Sequence, residues 1–247
     1  MRRRILLLRL RLPKLPEMTD LDYANLCARI YAVDAATDPF WAHYWNLNGI
    51  VCGHVVIEGV DYFIFRGSDN ADDWIRDLDA IPVWSPDIGF VHAGFYKGIA
   101  ELHPVLLAVT GAKACFGGHS LGAAHACLMT GLFIRRSQLI GVPCPVQELV
   151  TFGQPKPAYA NLARLIVKSG IRHVSYRNRN DPVPLVPLTI PPFIDYVHTE
   201  DWISMDAAPS PTDLEPLRDH HIQLYIQGLQ PAALVEATVK AAVESLV

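Results

Sequence analysis

The sequence predicts an α/β fold with a central, mostly parallel sheet and helices on both of its faces. Short apolar runs with the length of strands alternate along the chain with longer segments of helical periodicity. Several of these runs end in polar or glycine-rich turns, as strands do where an α/β sheet carries its functional groups. The chain has 247 residues, 51% of them hydrophobic. That is enough for one large domain with a substantial core.

Composition argues against several classes of function. The formal net charge is -4, so the chain lacks the basic surface that binds nucleic acid. It contains no P-loop, Gly-x-Gly-x-x-Gly, His-Glu-x-x-His or Cys-x-x-Cys motif, so neither a cofactor nor a metal site is expected. Five scattered cysteines indicate no disulfide framework, and we expect buried free thiols. They are Cys27, Cys52, Cys115, Cys127 and Cys144.

Residues 1–17 predict a basic, disordered N-terminal extension, and residues 18–247 predict a single domain. The extension begins like a signal peptide, but its uncharged run covers only residues 5–8, whereas a signal needs about 7–15 apolar residues. No run approaches the ~20 apolar residues of a transmembrane segment. A cytoplasmic location is the default expectation and secretion stays open. Either Met1 or Met18 could be the functional start.

The first half of the chain predicts helices around a β-hairpin. Thr19 is expected to cap a helix that runs to about Ala32. The aromatic segment 39–45 is expected to be a loop, and residues 49–65 predict a hairpin whose second strand is 62–65. Two amphipathic helices are expected at 70–78 and 94–109. The second half continues the alternation with these predicted elements: strand 114–116, helix 121–135, strand 148–152, helix 158–168, strand 171–176, a proline-rich loop at 182–192, a strand-like run at 194–197 and a final helix at 232–246.

The motif Gly118-x-Ser120-x-Gly122 joins an apolar strand to a helix. This context is typical of a nucleophile elbow, a strained turn that exposes a serine, here with His119 before it, at the top of a sheet. The flanking glycines leave room for the backbone to turn that tightly. The alternative is a glycine-rich turn with an ordinary surface serine.

A serine nucleophile needs a base, and the base needs a residue that orients it. In sheet folds of this kind the chain order is serine, acid, histidine. Asp181 follows a strand at the expected carboxyl edge, although a simple Asp-Pro turn would explain it too. Loops deliver catalytic groups, so the loop pair His220 and His221 is favoured and His198 is the reserve candidate. The histidines after the elbow are His125, His173, His198, His220 and His221.

Helical periodicity separates the two loop histidines. If residues 217–228 are helical, His221 falls on a mostly apolar face and is expected to be packed there. His220 then stays nearer the loop, and we expect it to be the base. Donors for an oxyanion are expected from the backbone N–H of Leu121, directly after the nucleophile, and from Ser68 at the end of an early strand.

Six blocks in this order resemble the class 3 lipases, the fungal-type branch of the α/β-hydrolases, over roughly residues 60 to 226. The blocks are Phe65-Arg66-Gly67-Ser68 with Asp73-Trp74, Val91-His92-Ala93-Gly94-Phe95, Gly118-His119-Ser120-Leu121-Gly122, Thr151-Phe152-Gly153-Gln154-Pro155, Asn180-Asp181-Pro182-Val183-Pro184, and Asp219-His220 with Tyr225. The resemblance implies the α/β-hydrolase fold.

The resemblance also implies a serine hydrolase acting on a lipid or small carboxylic ester, such as an acylglycerol, without a cofactor. By it Ser120 is the nucleophile, Asp181 the orienting acid, His220 the base, and Ser68 with Leu121 the oxyanion hole. His92 is structural in that reading. The lack of a clean signal peptide departs from secreted members. An acyltransferase on the same scaffold, or a catalytically silent lipid-binding module, stays an alternative.

The predicted helix at 70–78 is a possible lid. It directly follows the oxyanion-hole loop, and its apolar side could cover the cleft in water and turn outward during transient contact with a lipid surface. The alternative is a fixed helix with those residues in the core. The lid residues are Asp73, Trp74, Ile75 and Leu78.

Overall fold

Seven strands form the central sheet of the structure, a computed structural model that describes residues 18–68, 79–190, 192–209 and 217–231. The strand order is β1-β2-β3-β6-β7-β8-β9, antiparallel between β1, β2 and β3 and parallel from β3 onward. β4 and β5 form a separate antiparallel hairpin. The strands are β1 (His43–Leu47), β2 (Ile50–Ile57), β3 (Val60–Arg66), β4 (Pro82–Ser85), β5 (Gly89–His92), β6 (Ala114–His119), β7 (Val146–Phe152), β8 (Arg172–Asn178) and β9 (Trp202–Met205).

Helices cover both faces of the sheet, which confirms the predicted class. The described helices are α1 (Asp20–Arg29), α2 (Ala93–Tyr96), α3 (Ile99–Val109), α4 (Leu121–Ile140), α5 (Ala160–Ser169) and α6 (Ile222–Leu229). Successive side chains of a strand point to opposite faces. On β3, Phe63 and Phe65 therefore pack with α2 to α5, whereas Tyr62 and Ile64 pack with α1 and α6.

Helix α1 begins where the sequence predicts. The Thr19 hydroxyl accepts from the backbone N–H of Asp22 at 3.2 Å, and the Asp22 carboxylate accepts from the backbone N–H of Thr19 at 2.8 Å. This reciprocal pair satisfies donors that a helix start otherwise leaves free. The helix ends at Arg29, slightly before the predicted end.

Three predicted elements differ from the structure. The aromatic segment 39–45 is not all loop, because from His43 onward it pairs with β2 as the edge strand β1. The helix expected at 94–109 is two helices, α2 and α3, since Gly98 between them adopts a φ of 83°. The run at 194–197 forms only isolated bridges, and β4, β5 and β9 were not predicted.

The extension at 1–17, the possible lid at 70–78 and the final helix at 232–246 lie outside the described residues. Within the part of the chain that the structure describes, no helix combines the length and apolar character needed to cross a membrane. The five cysteines are free thiols, and all except Cys144 are buried.

Candidate active site

Ser120 lies between the end of β6 and the start of α4, on the predicted elbow. Its φ of 59° and ψ of -133° are strained for a residue with a side chain. Its backbone N–H donates to the carbonyl oxygen of Phe152 at 2.9 Å, which ties the turn to the neighbouring strand β7. Contrary to the prediction of an exposed hydroxyl, Ser120 is only 1% exposed. The loop at Gly67 closes over it, so closely that a Cβ atom at Gly67 would lie 2.8 Å from the Ser120 Cβ.

Gly118 and Gly122 allow the strand, turn and helix to pack this closely. A Cβ atom on Gly118 would collide with the carbonyl group of Gly122, and one on Gly122 would collide with the carbonyl oxygen of Phe65 on β3. Neither collision is with a flexible side chain, so any larger residue would push α4 away from β3 and β6. The two glycines therefore set the distance between the elbow and the end of β3.

Asp181 and His220 form a buried hydrogen-bonded pair. Nδ1 of His220 lies 2.7 Å from Oδ2 of Asp181. Oδ2 also accepts from the Tyr225 hydroxyl at 2.5 Å, and Oδ1 accepts from the backbone N–H of Val183 at 2.9 Å. Burial opposes ionisation of Asp181, but His220 and the other two donors outweigh it and lower the pKa of its carboxyl. An ionised Asp181 only accepts hydrogen bonds, so it holds the proton of His220 on Nδ1.

This tautomer leaves Nε2 of His220 as the basic nitrogen. Nε2 and the Ser120 hydroxyl oxygen are both buried, and neither has a hydrogen-bond partner among the described residues. Both side chains flank the end of β7. Phe152 accepts the Ser120 N–H, and a Cβ atom on Gly153 would lie 2.6 Å from Cε1 of His220. The structure therefore brings the three predicted residues of a triad to one edge of the sheet.

Ser68 and Leu121 lie at equivalent positions on neighbouring elements. Phe65 of β3 pairs with Gly118 of β6. Ser68 comes three residues after Phe65, and Leu121 comes three residues after Gly118. Leu121 is the first residue of α4, so its backbone N–H has no acceptor within the helix. The positive end of the helix dipole there also favours a negative charge. These positions fit the predicted oxyanion hole.

A cavity of about 610 Å³ lies beside the elbow. Leu121 and His125 of α4 line it, together with Ile81, His92 and Phe95. Its volume is in the range of pockets that bind small molecules. A cavity of about 930 Å³ between α1 and the β2–β3 hairpin contains none of the predicted site residues. The cavity at Leu121 is therefore the candidate substrate site. Among the described residues, no group of three or more histidines, cysteines or carboxylates could hold a metal ion.

Comparisons with known proteins identify the family. The model of the class 3 lipases matches residues 62–190, slightly more than half of the chain. This chain belongs to the class 3 lipase family. The match includes most of β3, the elbow and Asp181, and it ends before His220.

Individual lipases share this fold. A lipase from Rhizomucor miehei is 33% identical over 158 residues, which are 58% of this chain and 41% of that protein. The chain thus spans less than half of the curated relative's length. The structure of Rhizomucor miehei triacylglyceride lipase matches with a TM-score of 0.62 and 25% identity over 74% of this chain and 77% of the other. A triacylglycerol lipase with a catalytic centre formed by a serine protease triad matches with a TM-score of 0.62 and 25% identity over 75% and 79%. The α/β-hydrolase fold is confirmed.

The other histidines of this family member are held in different surroundings. Nε2 of His198, the reserve candidate, donates to the carbonyl oxygen of Pro184 at 2.6 Å. His125 is buried in α4, and burial lowers its pKa to about 3. His173 lies in β8, where burial lowers its pKa to about 4. His92 accepts from the backbone N–H of Phe95 at 3.3 Å and caps α2, in keeping with a structural role.

The positions of the two loop histidines, His220 and His221, differ from those predicted. Residues 217–228 do not form one helix, because a short 3-10 turn at Arg218–His220 precedes α6. His221 is the half-buried residue directly before α6 and is not packed on a helix face. His220 is the buried one, with 3% exposed, and it is the one that meets Asp181.

Two residues that support the site were missed. The Asn178 side chain donates to the carbonyl oxygens of Ala207 and Asp219, at 3.0 and 3.1 Å, and so anchors the segment before His220. Tyr31 contacts His119 of the elbow from 88 residues away in the chain. No sequence motif marks either contact. The proposed lid residues Asp73, Trp74, Ile75 and Leu78 lie outside the described residues.

Proposed function

We propose that this protein is a serine hydrolase that cleaves carboxylic ester bonds of lipids, triacylglycerols among them, through an acyl-enzyme. One observation carries the proposal. The buried Asp181–His220 pair leaves Nε2 of His220 without a partner among the described residues, at the edge of the sheet where Ser120 stands on a strained elbow. These are the three groups that acyl transfer by a serine requires.

In the proposed reaction the Ser120 hydroxyl oxygen attacks the ester carbonyl carbon while Nε2 of His220 accepts its proton. The N–H of Leu121 and the donors of Ser68 stabilise the negative charge on the carbonyl oxygen. The protonated His220 then gives its proton to the leaving alcohol, and Asp181 stabilises the imidazolium without taking a proton. Water, activated by His220, releases the acid and restores Ser120.

Lipid esters are the proposed substrates for two reasons. The similar Rhizomucor miehei protein is a triacylglyceride lipase. In addition, aromatic side chains form an exposed apolar patch: the rings of Trp84 and Phe90, 56% and 41% exposed, lie with their centroids 5.1 Å apart. The strand that carries Phe90 also carries His92, which lines the cavity. Such a patch favours transient contact with a lipid surface.

Hydrolysis of a panel of p-nitrophenyl esters from short to long chain, and of a triacylglycerol emulsion, tests the proposal. We expect the wild type to release free acid and Ser120→Ala to lose hydrolysis while it stays folded. Ser137→Ala is the matched control, because Ser137 is a buried serine of α4 whose hydroxyl group donates to the Phe133 carbonyl of the same helix at 3.0 Å. Hydrolysis retained by Ser120→Ala contradicts the proposal. Transfer of the acyl group to an added alcohol in place of acid release would indicate an acyltransferase.

A further inference from the structure

Tyr31 and His119, which the mechanism above does not use, form a chain of hydrogen bonds across the site. The chain begins at the loop of Ser68, where the backbone N–H of Gly67 donates to the Tyr31 hydroxyl oxygen at 3.0 Å. That oxygen lies 3.0 Å from Nδ1 of His119. Nε2 of His119 lies 2.8 Å from the carbonyl oxygen of His220. Three bonds thus connect the oxyanion-hole loop with the backbone of the base.

The donor and acceptor of each hydrogen bond in this series follow from the chemistry of the groups. The carbonyl oxygen of His220 only accepts, so Nε2 of His119 carries a proton and donates. Burial, and then the neighbouring His220, lower the pKa of His119 to about 3, so the ring is neutral near pH 7 and has only that proton. Nδ1 therefore accepts, and the Tyr31 hydroxyl donates to it. The hydroxyl oxygen keeps lone pairs for the N–H of Gly67.

The His119 ring also contacts the His220 ring directly. The two rings are stacked, with centroids 4.6 Å apart and an angle of 29° between their planes. The backbone of Gly153 approaches His220 at Cε1 and Nδ1, and Asn178 anchors the preceding carbonyl group, that of Asp219. His119 thus acts on the imidazole ring and on its backbone, and the bond of His119 to Tyr31 links both to the loop of Ser68.

We propose that Tyr31 and His119 are positioning residues that hold the oxyanion-hole loop and the base His220 in one fixed arrangement around Ser120. This inference rests on the proposed function. A catalytic group displaced by about 1 Å can cost on the order of 10² in rate, so a linkage between the two halves of the site acts on turnover. Neither residue needs to touch the substrate.

The central test is Tyr31→Phe, which removes the hydroxyl group and keeps the ring that packs edge-on against His119 at 5.7 Å. It leaves the Gly67 N–H and Nδ1 of His119 without this partner. We expect kcat on short esters to fall about tenfold to a hundredfold with little change in KM, because only the arrangement of catalytic groups changes.

Tyr23→Phe is the matched control. Tyr23 is a buried tyrosine of α1, and its hydroxyl group donates to Glu148 at 3.0 Å, near the start of β7 and away from the elbow. Its loss should lower the melting temperature but leave kcat unchanged. A fall in kcat of equal size in Tyr23→Phe and Tyr31→Phe would mean a general loss of stability and would overturn the inference.

Variants of His119 test the second half of this series of hydrogen bonds, from His119 to His220. His119→Gln keeps an N–H group near the position of Nε2 and should retain more activity than His119→Phe, which keeps a ring but no donor. The double variant Tyr31→Phe/His119→Phe should be no slower than His119→Phe alone, because both changes break the same chain. If the His119 variants fail to fold, Tyr31→Phe against Tyr23→Phe decides the question.

Ser120→Ala in the same assay separates this inference from the proposed function. An active Ser120→Ala would contradict the proposed function itself. An inactive Ser120→Ala together with wild-type kcat in Tyr31→Phe would leave that function standing and overturn the positioning role alone.

Discussion

Two buried histidine–aspartate pairs with nearly the same geometry stand at different ends of the sheet. At the carboxyl edge, Nδ1 of His220 lies 2.7 Å from Asp181. Near the amino end of β3, Nε2 of His54 lies 2.8 Å from Asp61. The pairs differ in the second nitrogen of the ring. Nδ1 of His54 lies 3.0 Å from Nδ1 of His43, whereas Nε2 of His220 has no partner among the described residues.

The comparison shows that a buried His–Asp pair does not by itself make a base. His54 uses Nε2 to donate to Asp61, so its Nδ1 accepts from His43 and no nitrogen is left for a nucleophile. The second oxygen of Asp61 accepts the backbone N–H of Gly111 at 2.8 Å, which makes the pair part of a loop anchor. Burial, stronger than the attraction of Asp61, lowers the pKa of His54 and so favours its neutral form. Of the two pairs, the one at the carboxyl edge combines a ring nitrogen without a partner among the described residues with a strained serine and the proposed oxyanion donors.

Separate removal of His220 and of His54 should give the largest difference between the two pairs. His220→Ala should lose turnover on the order of 10⁶-fold, the size seen when a serine hydrolase loses its base. His54→Ala should lower the melting temperature and keep kcat, because it leaves Asp61 without its buried partner far from Ser120. Steady-state kinetics and thermal unfolding of both variants measure this contrast.

His221→Ala serves as the neighbouring control for that experiment. His221 stands half-buried before α6 and should affect stability more than turnover. An inactive, folded His221→Ala beside an active His220→Ala would reverse the assignment of the base.

A smaller effect is expected from a change in the proposed oxyanion hole. Ser68→Ala should lower kcat by about 10² to 10³ with little change in KM, because the lost donor acts mainly on the transition state. Ser85→Ala is the control, since Ser85 is buried in β4 and bonds to Tyr96 at 3.1 Å. Wild-type kcat in Ser68→Ala would show that the hydroxyl group is not a donor and would leave only the backbone N–H in that role.

Local sequence patterns predicted the parts of the site that local geometry builds. The glycines two positions away on each side predict Ser120 as the nucleophile. The polar turn directly after a strand predicts Asp181 as the acid. The choice of His220, which the structure places against Asp181, relied on a helix that begins later than expected, so its surroundings were described wrongly. Family resemblance supported that choice independently.

Such local patterns did not predict the contacts between distant segments. The enclosure of Ser120 depends on the loop at Gly67, and the hydrogen bonds from Gly67 to His220 depend on Tyr31, which the sequence places only near the end of a predicted helix. The edge strand β1 was missed for the same reason, because its pairing with β2 decides its conformation more than its own composition. These features are determined by contacts between distant segments, and a single sequence does not reveal such contacts.

Labelling with a fluorophosphonate probe, followed by peptide mass spectrometry, tests whether Ser120 is the nucleophile and His220 its base. We expect one adduct, on Ser120, formed at wild-type rate in His54→Ala, very slowly in His220→Ala and not at all in Ser120→Ala. An adduct on Ser68, or labelling of His220→Ala at the wild-type rate, would contradict the assignment of Ser120 as nucleophile and His220 as its base.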